Sequence, residues 1–325
     1  MKTKLWRSAV ALAAACLAVP AFATTTAAAA PATLNVAADS AAEANAVAAK
    51  WTPEAMRNAV PLDRLLPKAD ASKLTQEVRK GAAQVVAPTS GLFNGLLPMA
   101  FPSGGGEWTG GGKVVSTAGR VFFTYQGRRA SCSGNAVTSG NKSTVITAGH
   151  CVKLDGAFHT DWAFVPAYDN GNAPYGTWTA RATMATPQWV ASEDINYDVG
   201  AAVVNQLNGR NLTDVVGGQG VAFNQARGQD MYAFGWPAAS PYDGTKMIYC
   251  SGATFNALIS DGLGMTCDMT GGSSGGPWFQ RFDEAAGTGL VNSVNSYKIN
   301  FIPTWMFGPY FGADAQNLYN QAQAA

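Results

Sequence analysis

Gly271-Gly272-Ser273-Ser274-Gly275-Gly276-Pro277 places two serines inside a run of glycines. A serine flanked in this way presents its hydroxyl on a tight turn. The bare backbone around it lets a carbonyl approach N–H donors. Either serine can be read as the centre of G-x-S-x-G, the elbow of an α/β-hydrolase. That fold orders its triad Ser, acid, His along the chain. The only two histidines, His150 and His159, both precede Ser274, so the elbow reading fails on order. A subtilisin order needs an Asp before the His, and the acids upstream of His150 fall in a segment that reads as pro-segment and linker. His, acid, Ser is the order that remains.

His150 ends the apolar stretch Thr147-Ala148-Gly149-His150-Cys151, beside a cysteine. A lone histidine is more often structural than catalytic, but a general base must be held in place, and a crosslink next to it would do so. His159 sits in a polar stretch, and His159→Ala is expected to cost little turnover. The acid must lie between His150 and Ser274. Asp198, in Asn196-Tyr197-Asp198-Val199-Gly200-Ala201-Ala202-Val203-Val204, leads into a strand of small apolar residues. Burial there suits a carboxylate that accepts the imidazole Nδ1–H and fixes its tautomer. Asp194 competes for this role; Asp155, Asp161 and Asp169 are weaker candidates.

Thr147–Cys151, Asp198–Val203 and Gly272–Pro277 resemble the three signature blocks of trypsin/chymotrypsin-like serine peptidases. The span Thr266-Cys267-Asp268-Met269-Thr270-Gly271-Gly272 is similar to the bacterial secreted glutamyl-endopeptidase-like branch. The resemblance covers roughly residues 113–312. It implies an all-β fold, two six-stranded antiparallel β-barrels with the site between them. Ser274 is then the nucleophile, His150 the acid/base and Asp198 the orienting acid, and the N–H groups of Gly272 and Ser274 form the oxyanion hole. A Cys132–Cys151 bridge beside the histidine fits the same pattern.

Two departures matter. Many family members carry Asp immediately before the nucleophile, to pair with a new N-terminal amine; Ser273 cannot do this. Glutamyl endopeptidases hold the substrate carboxylate with a His on a pocket strand. The corresponding stretch, Leu290 to Ser296, has Asn292 near that place and no His follows it, so a preference for Glu loses its main charge partner. Asp268, six residues before Ser274, stands where trypsin-like members bind Arg or Lys, with a plain turn residue as the competing reading. Ser293 to Asn295 is expected to pair with substrate backbone as an added strand.

The remaining text sets the context. Of 325 residues only 13% are charged and the net charge is +1, which offers no broad field for nucleic acid or acidic lipid. Lys2, Lys4 and Arg7, the apolar run Ser8 to Pro20 and Ala21-Phe22-Ala23 read as a signal peptide over 1–23, and no later stretch reaches membrane-spanning length. A secreted, extracellular protein is therefore expected. Removing that segment, and Cys16 with it, leaves Cys132, Cys151, Cys250 and Cys267, an even count that reads as two disulfides with three pairings open. Neighbouring pairs would close short loops worth ~3 kcal/mol each. The cysteines lack the close paired spacing of zinc ligands.

Residues 24 to about 50 are Ala/Thr-rich and expected to be disordered or weakly helical. Thr52-Pro53-Glu54 marks a helix start, and Ala71 to Ala83 is a second helical candidate. The Gly/Pro-rich stretch from Ala87 to Gly112 reads as a linker. Residues 24–112 are thus taken as propeptide and linker, and 113–325 as the catalytic domain. In that domain Arg120–Tyr125, Ser133–Thr138, Ser143–Thr147, Val199–Val204, Asp230–Gly235, Met247–Cys250 and Gly289–Ser293 read as strands, and Asp314–Ala324 as a terminal helix. The chemistry requires no metal or organic cofactor, the partners are protein or peptide substrates, and a monomer suffices. An esterase on the same triad, or an inactive peptidase-like binding protein, are the rival readings.

Overall fold

The computed structural model describes residues 31–64, 77–90, 101–300 and 302–325. The segment read as a signal peptide and residues 71–76 lie outside the described residues. Residues 77–83 of the second expected helix are not helical.

The N-terminal part contributes β1 (Thr33–Val36), α1 (Ala41–Lys50), α2 (Pro53–Arg57), β2 (Val60–Pro61), β3 (Gln84–Val86), β4 (Ser103–Glu107) and α3 (Lys113–Thr117). Helix α2 starts as its sequence predicts, with Thr52 capping the Ala55 N–H and Pro53 in the first turn. The Ala/Thr-rich stretch is more ordered than its composition suggests. Ser40 and Glu43 cap α1 reciprocally, and β1 pairs with a barrel strand from Thr33↔Ala185 to Val36↔Ala182. Its hydrogen bonds come from a partner strand, so side-chain composition could not announce it. The Gly/Pro-rich linker likewise contains a real strand, β4, followed by Trp108, which packs edge-on against Phe234, Tyr249 and Phe282.

The first barrel uses β5 (Ala118–Tyr125), β6 (Arg128–Ala136) and β7 (Thr144–Thr147), then the short pair β8 (Lys153–Leu154) and β9 (Ala157–Phe158). It continues through β10 (Thr160–Pro166), β11 (Trp178–Ala185), α4 (Pro187–Ser192) and β12 (Gly200–Val204), and α5 (Leu212–Val216) follows. Hydrogen bonding runs β11-β10-β5-β6-β7-β12 and returns to β11, which closes six strands and removes every edge but the one that β1 covers. Phe122, Phe123, Phe164, Trp162 and Trp178 are among the fully buried side chains that fill it.

The second half holds β13 (Gly220–Phe223), β14 (Asp230–Gly235), β15 (Ile248–Ala253), β16 (Phe255–Asn256), β17 (Leu263–Thr266), β18 (Pro277–Asp283), β19 (Thr288–Val294), β20 (Tyr297–Ile299) and β21 (Ile302–Gly308). These strands divide between a seven-stranded sheet, which recruits β3 and β4, and a four-stranded sheet ordered β16-β17-β21-β20. The Cys250–Cys267 bond ties β15 to the end of β17 and so joins the two sheets, while Cys132–Cys151 joins β6 to the turn after β7. The chain is therefore a double barrel of the chymotrypsin-like type, with the C-terminal helix α6 (Ala313–Ala324) laid across it. Leu318, Tyr319 and Ala322 are buried, and the Tyr319 hydroxyl donates to the Thr138 carbonyl at 2.7 Å. No described helix is long and apolar enough to cross a membrane.

Because Cys132–Cys151 closes a loop with a sequence separation of 19, replacing both cysteines by alanine is expected to lower the unfolding free energy by about 3 kcal/mol, measured by denaturant titration.

Candidate active site

Strand β7 carries the chain to Ala148, and a 3-10 turn over Gly149–Cys151 then swings His150 into the gap between the barrels. The turn is pinned from two sides. Cys151 is bonded to β6, and the Asp198 carboxylate accepts both the His150 backbone N–H and its Nδ1–H at 2.7 Å. Asp198 stands immediately before β12, which is buried throughout, and is itself 1% exposed. A third donor completes the carboxylate: the Ser296 hydroxyl, 2.5 Å from Oδ2. Burial opposes charge on His150, but the charge and hydrogen bond of Asp198 outweigh it and hold the imidazole above its ordinary pKa. With Nδ1–H on Asp198, the buried Nε2 makes no hydrogen bond to a described residue.

Ser274 lies on the turn that ends at β18 and is 7% exposed. Its carbonyl accepts from Ser133 N–H at 2.7 Å and lies 3.7 Å from Cys151 Sγ, next to His150. The glycines make this closeness possible. Gly275 has φ +79°, and a Cβ there would lie 2.0 Å from Thr147 Oγ1 and 2.8 Å from Ala148 N, so the turn abuts the backbone that leads to His150. Gly272 has φ +94°, a conformation that costs an L-residue dearly. Neither the Gly272 nor the Ser274 N–H has a hydrogen-bond acceptor among the described residues.

Ser133 of the first barrel grips this turn. Its N–H donates to Ser274 O at 2.7 Å, its hydroxyl to Gly272 O at 2.9 Å, and its carbonyl accepts from Thr147 Oγ1 at 2.8 Å. From the second barrel Asn295 grips it as well, donating Nδ2–H to Ser273 O at 3.0 Å and to Phe234 O at 2.9 Å, while its Oδ1 accepts from Trp278 at 2.7 Å.

The residues expected to touch substrate are placed differently from the three just described. Asn295 holds the serine turn with side chain and backbone alike. Ser293 is fully buried, its hydroxyl on the Pro309 carbonyl at 2.8 Å. Asp268 is exposed and accepts from the Tyr242 hydroxyl at 2.7 Å, so it does not form the floor of a closed pocket. Asn292 turns its amide to the Ala222 carbonyl. Among the described residues, the strand with an unpaired edge beside the site is instead β20, which begins just after Ser296 and lies last in its sheet. Ser296 escaped the sequence reading, because its role depends on which residue of the strand reaches Asp198. Asp194 caps the Ile195–Tyr197 turn through Asn196 N–H at 3.0 Å, and Asp161 binds Lys50 and Thr124.

His159 is not in a polar loop. It is 4% exposed, stacked on Phe123 at 4.4 Å, and its Nε2–H donates to the His150 carbonyl at 2.8 Å. Burial drives its pKa down to about 4. A histidine whose folded pKa is depressed stabilises the fold above its unfolded value of about 6.5, and this contribution is lost as pH falls toward the folded value. The expected outcome is that His159→Phe flattens the decline in thermal midpoint between about pH 6.5 and about 4, read by circular dichroism at each pH, relative to the unsubstituted chain.

Among the described residues one group of candidate metal donors is close-packed, Cys132, His150 and Cys151. Both sulfurs are in a disulfide and His150 Nδ1 faces Asp198, so this set offers no thiolate to a cation.

No family model matches the chain. Among curated proteins it is similar to an "Extracellular metalloprotease" of Bacillus subtilis, 28% identical over 176 residues, 52% of this chain and 53% of that protein. The chain thus spans about half the length of that relative. Among solved structures it is similar to the protease Anisep from Arthrobacter nicotinovorans, with 47% identity, TM-score 0.64, and 68% of this chain and all of that one covered. It is also similar to the thermostable serine protease AL20 from an extremophilic microorganism, with 40% identity, TM-score 0.62, and 66% and 99% covered. A Glu endopeptidase shares the fold at 16% identity and TM-score 0.54, with 69% and 99% covered. Two whole relatives at such identity, on the same double barrel, leave one conclusion: this chain belongs to the chymotrypsin-like serine proteases.

Proposed function

We propose that this protease is a secreted serine endopeptidase that works through Ser274, His150 and Asp198. The observation that carries the reading is the buried Asp198–His150 pair, whose Nε2 is left without a partner beside the turn that bears Ser274. His150 takes the Ser274 proton on Nε2 as Oγ attacks the peptide carbonyl carbon. The resulting oxyanion is met by the N–H groups of Gly272 and Ser274. His150 then returns the proton to the leaving amine, and water repeats the sequence in reverse on the acyl-enzyme. Asp198 keeps the imidazole in the tautomer that leaves Nε2 free to accept.

Substrate is proposed to add as a strand along the open edge of β20, which brings its scissile bond to the serine turn. Export through a leader ending at Ala23 rests on the basic, apolar and small-residue pattern of that segment. Removal of an N-terminal pro-segment rests on the Ala/Thr-rich and Gly/Pro-rich composition of residues 24–112.

Ser274→Ala should lower kcat by several orders of magnitude on a chromogenic peptide, and a fluorophosphonate probe should label the parent chain at Ser274 alone. Labelling elsewhere, or full activity of Ser274→Ala, would sink the assignment. Because the His150 pKa is raised and the base must be neutral to accept a proton, kcat/KM should climb with pH through a limb lying above the ordinary histidine value of about 6.5. Ser296→Ala removes one of three donors to a buried carboxylate and is expected to cost about tenfold in kcat/KM, measured at a pH above that limb.

A further inference from the structure

The N-terminal part of the chain is attached to both barrels, and between its attachments it passes the catalytic gap. On the first barrel Trp51 packs at a tilt against Phe122, 5.5 Å between ring centres, and donates its indole N–H to Asp161 O at 2.7 Å, with Lys50 on the Asp161 carboxylate at 2.6 Å. On the second half Val78 N–H donates to Asp261 at 2.8 Å, Arg79 pairs with Asp314 at 2.7 Å, and β3 extends the sheet beside β13.

Between them, β2 pairs with β6 through Val60↔Ala130 and Pro61↔Ser131, the two residues that precede Cys132 and Ser133. Leu62 is fully buried. Asp63 then sets its carboxylate against Gly271, so closely that a Cβ on Gly271 would lie 2.0 and 2.1 Å from the two oxygens. Gly271 directly precedes Gly272, whose N–H is assigned above to the oxyanion. The Asp63 charge is also felt by His150 and by Lys298 on β20. A strand contact on β6, a buried apolar side chain and a carboxylate against Gly271 thus stand in succession beside the serine turn.

We propose that the surface made by β6 and Gly271 is a docking site for the chain's own Val60–Asp63 segment, and that this segment keeps Ser274 from substrate until it is released. The inference rests on the reading of Ser274 as nucleophile. It needs no buried N-terminal ion pair, which Ser273 cannot make, and it assigns the pro-segment a steric and electrostatic role instead. The apolar-then-acidic order of Leu62-Asp63 is the chemistry the surface recognises: a closed contact beside β6, then a small anion over a glycine that leaves room for it.

The test uses the full chain, confirmed intact by mass, and the second-order rate of Ser274 labelling by a fluorophosphonate. Asp63→Ala alters an exposed side chain and is expected to label several-fold faster than the parent. A chain with Val60→Gly, Pro61→Gly, Leu62→Ser and Asp63→Ser together is expected to label at least tenfold faster. A capped peptide of residues 58–64, added to either variant, should slow labelling again, whereas the same peptide with Leu62→Ser and Asp63→Ser should not. Should the four-residue variant fail to fold, Asp63→Ala and the peptide carry the test alone. Parent and Asp63→Ala rates within twofold of each other, with no effect of the peptide, would overturn the proposal and leave Ser274 standing as nucleophile. Absence of labelling at Ser274 in every form would instead overturn the catalytic reading, and this inference with it.

Discussion

Everything about the site depends on Ser133. This small side chain of the first barrel is fully buried, and its N–H, hydroxyl and carbonyl all serve the catalytic gap. Two of those bonds hold carbonyls of the serine turn, at Gly272 and Ser274, and the third reaches Thr147 on the strand that delivers His150. Its hydroxyl further accepts from the Trp236 N–H at 3.0 Å. Ser274 and His150 sit on different barrels, and the proposed chemistry tolerates little error in their separation. One residue that bonds to both sides converts the packing of two barrels into a fixed distance between Ser274 and His150, the proposed nucleophile and base.

Around this clamp the structure uses each kind of constraint where it is strongest. The disulfide at Cys151 and the double hydrogen bond to Asp198 fix the imidazole turn. Glycine fixes the serine turn, since residues with side chains would collide with Thr147 or strain the backbone at Gly272. Asn295 braces that turn from behind and shares a bond with Trp278. Arg120, wholly buried, bridges the halves from another direction: it lies over the rings of Phe122 and Tyr168 and donates to Gly244 O and to Ser131. A cation so deep is held by ring faces and hydrogen bonds together, and burial lowers its pKa even so.

How much of this could be read from the text follows from how local each signal is. The serine run, the histidine beside a cysteine and the acid before a small apolar strand are short words, and their order alone selects among triad-bearing folds. Ser296 was invisible because its role arises from the register of β20 against Asp198, 98 positions earlier in the chain. The same register error put the substrate strand at Ser293–Asn295, whose groups in fact brace the interior. His159 read as a loop residue since its stacking partner Phe123 belongs to β5, met only through β10. Strands β1 and β4 carry almost no side-chain signature, because backbone pairing with an existing sheet holds them in place.

Ser296 ties an edge strand to the imidazole. It donates to the Asp198 carboxylate and directly precedes β20, the strand whose outer edge stands open. One carboxylate thus takes a hydrogen bond from the residue that opens the edge strand and another from the imidazole, so the lie of that strand and the orientation of His150 are set by the same group.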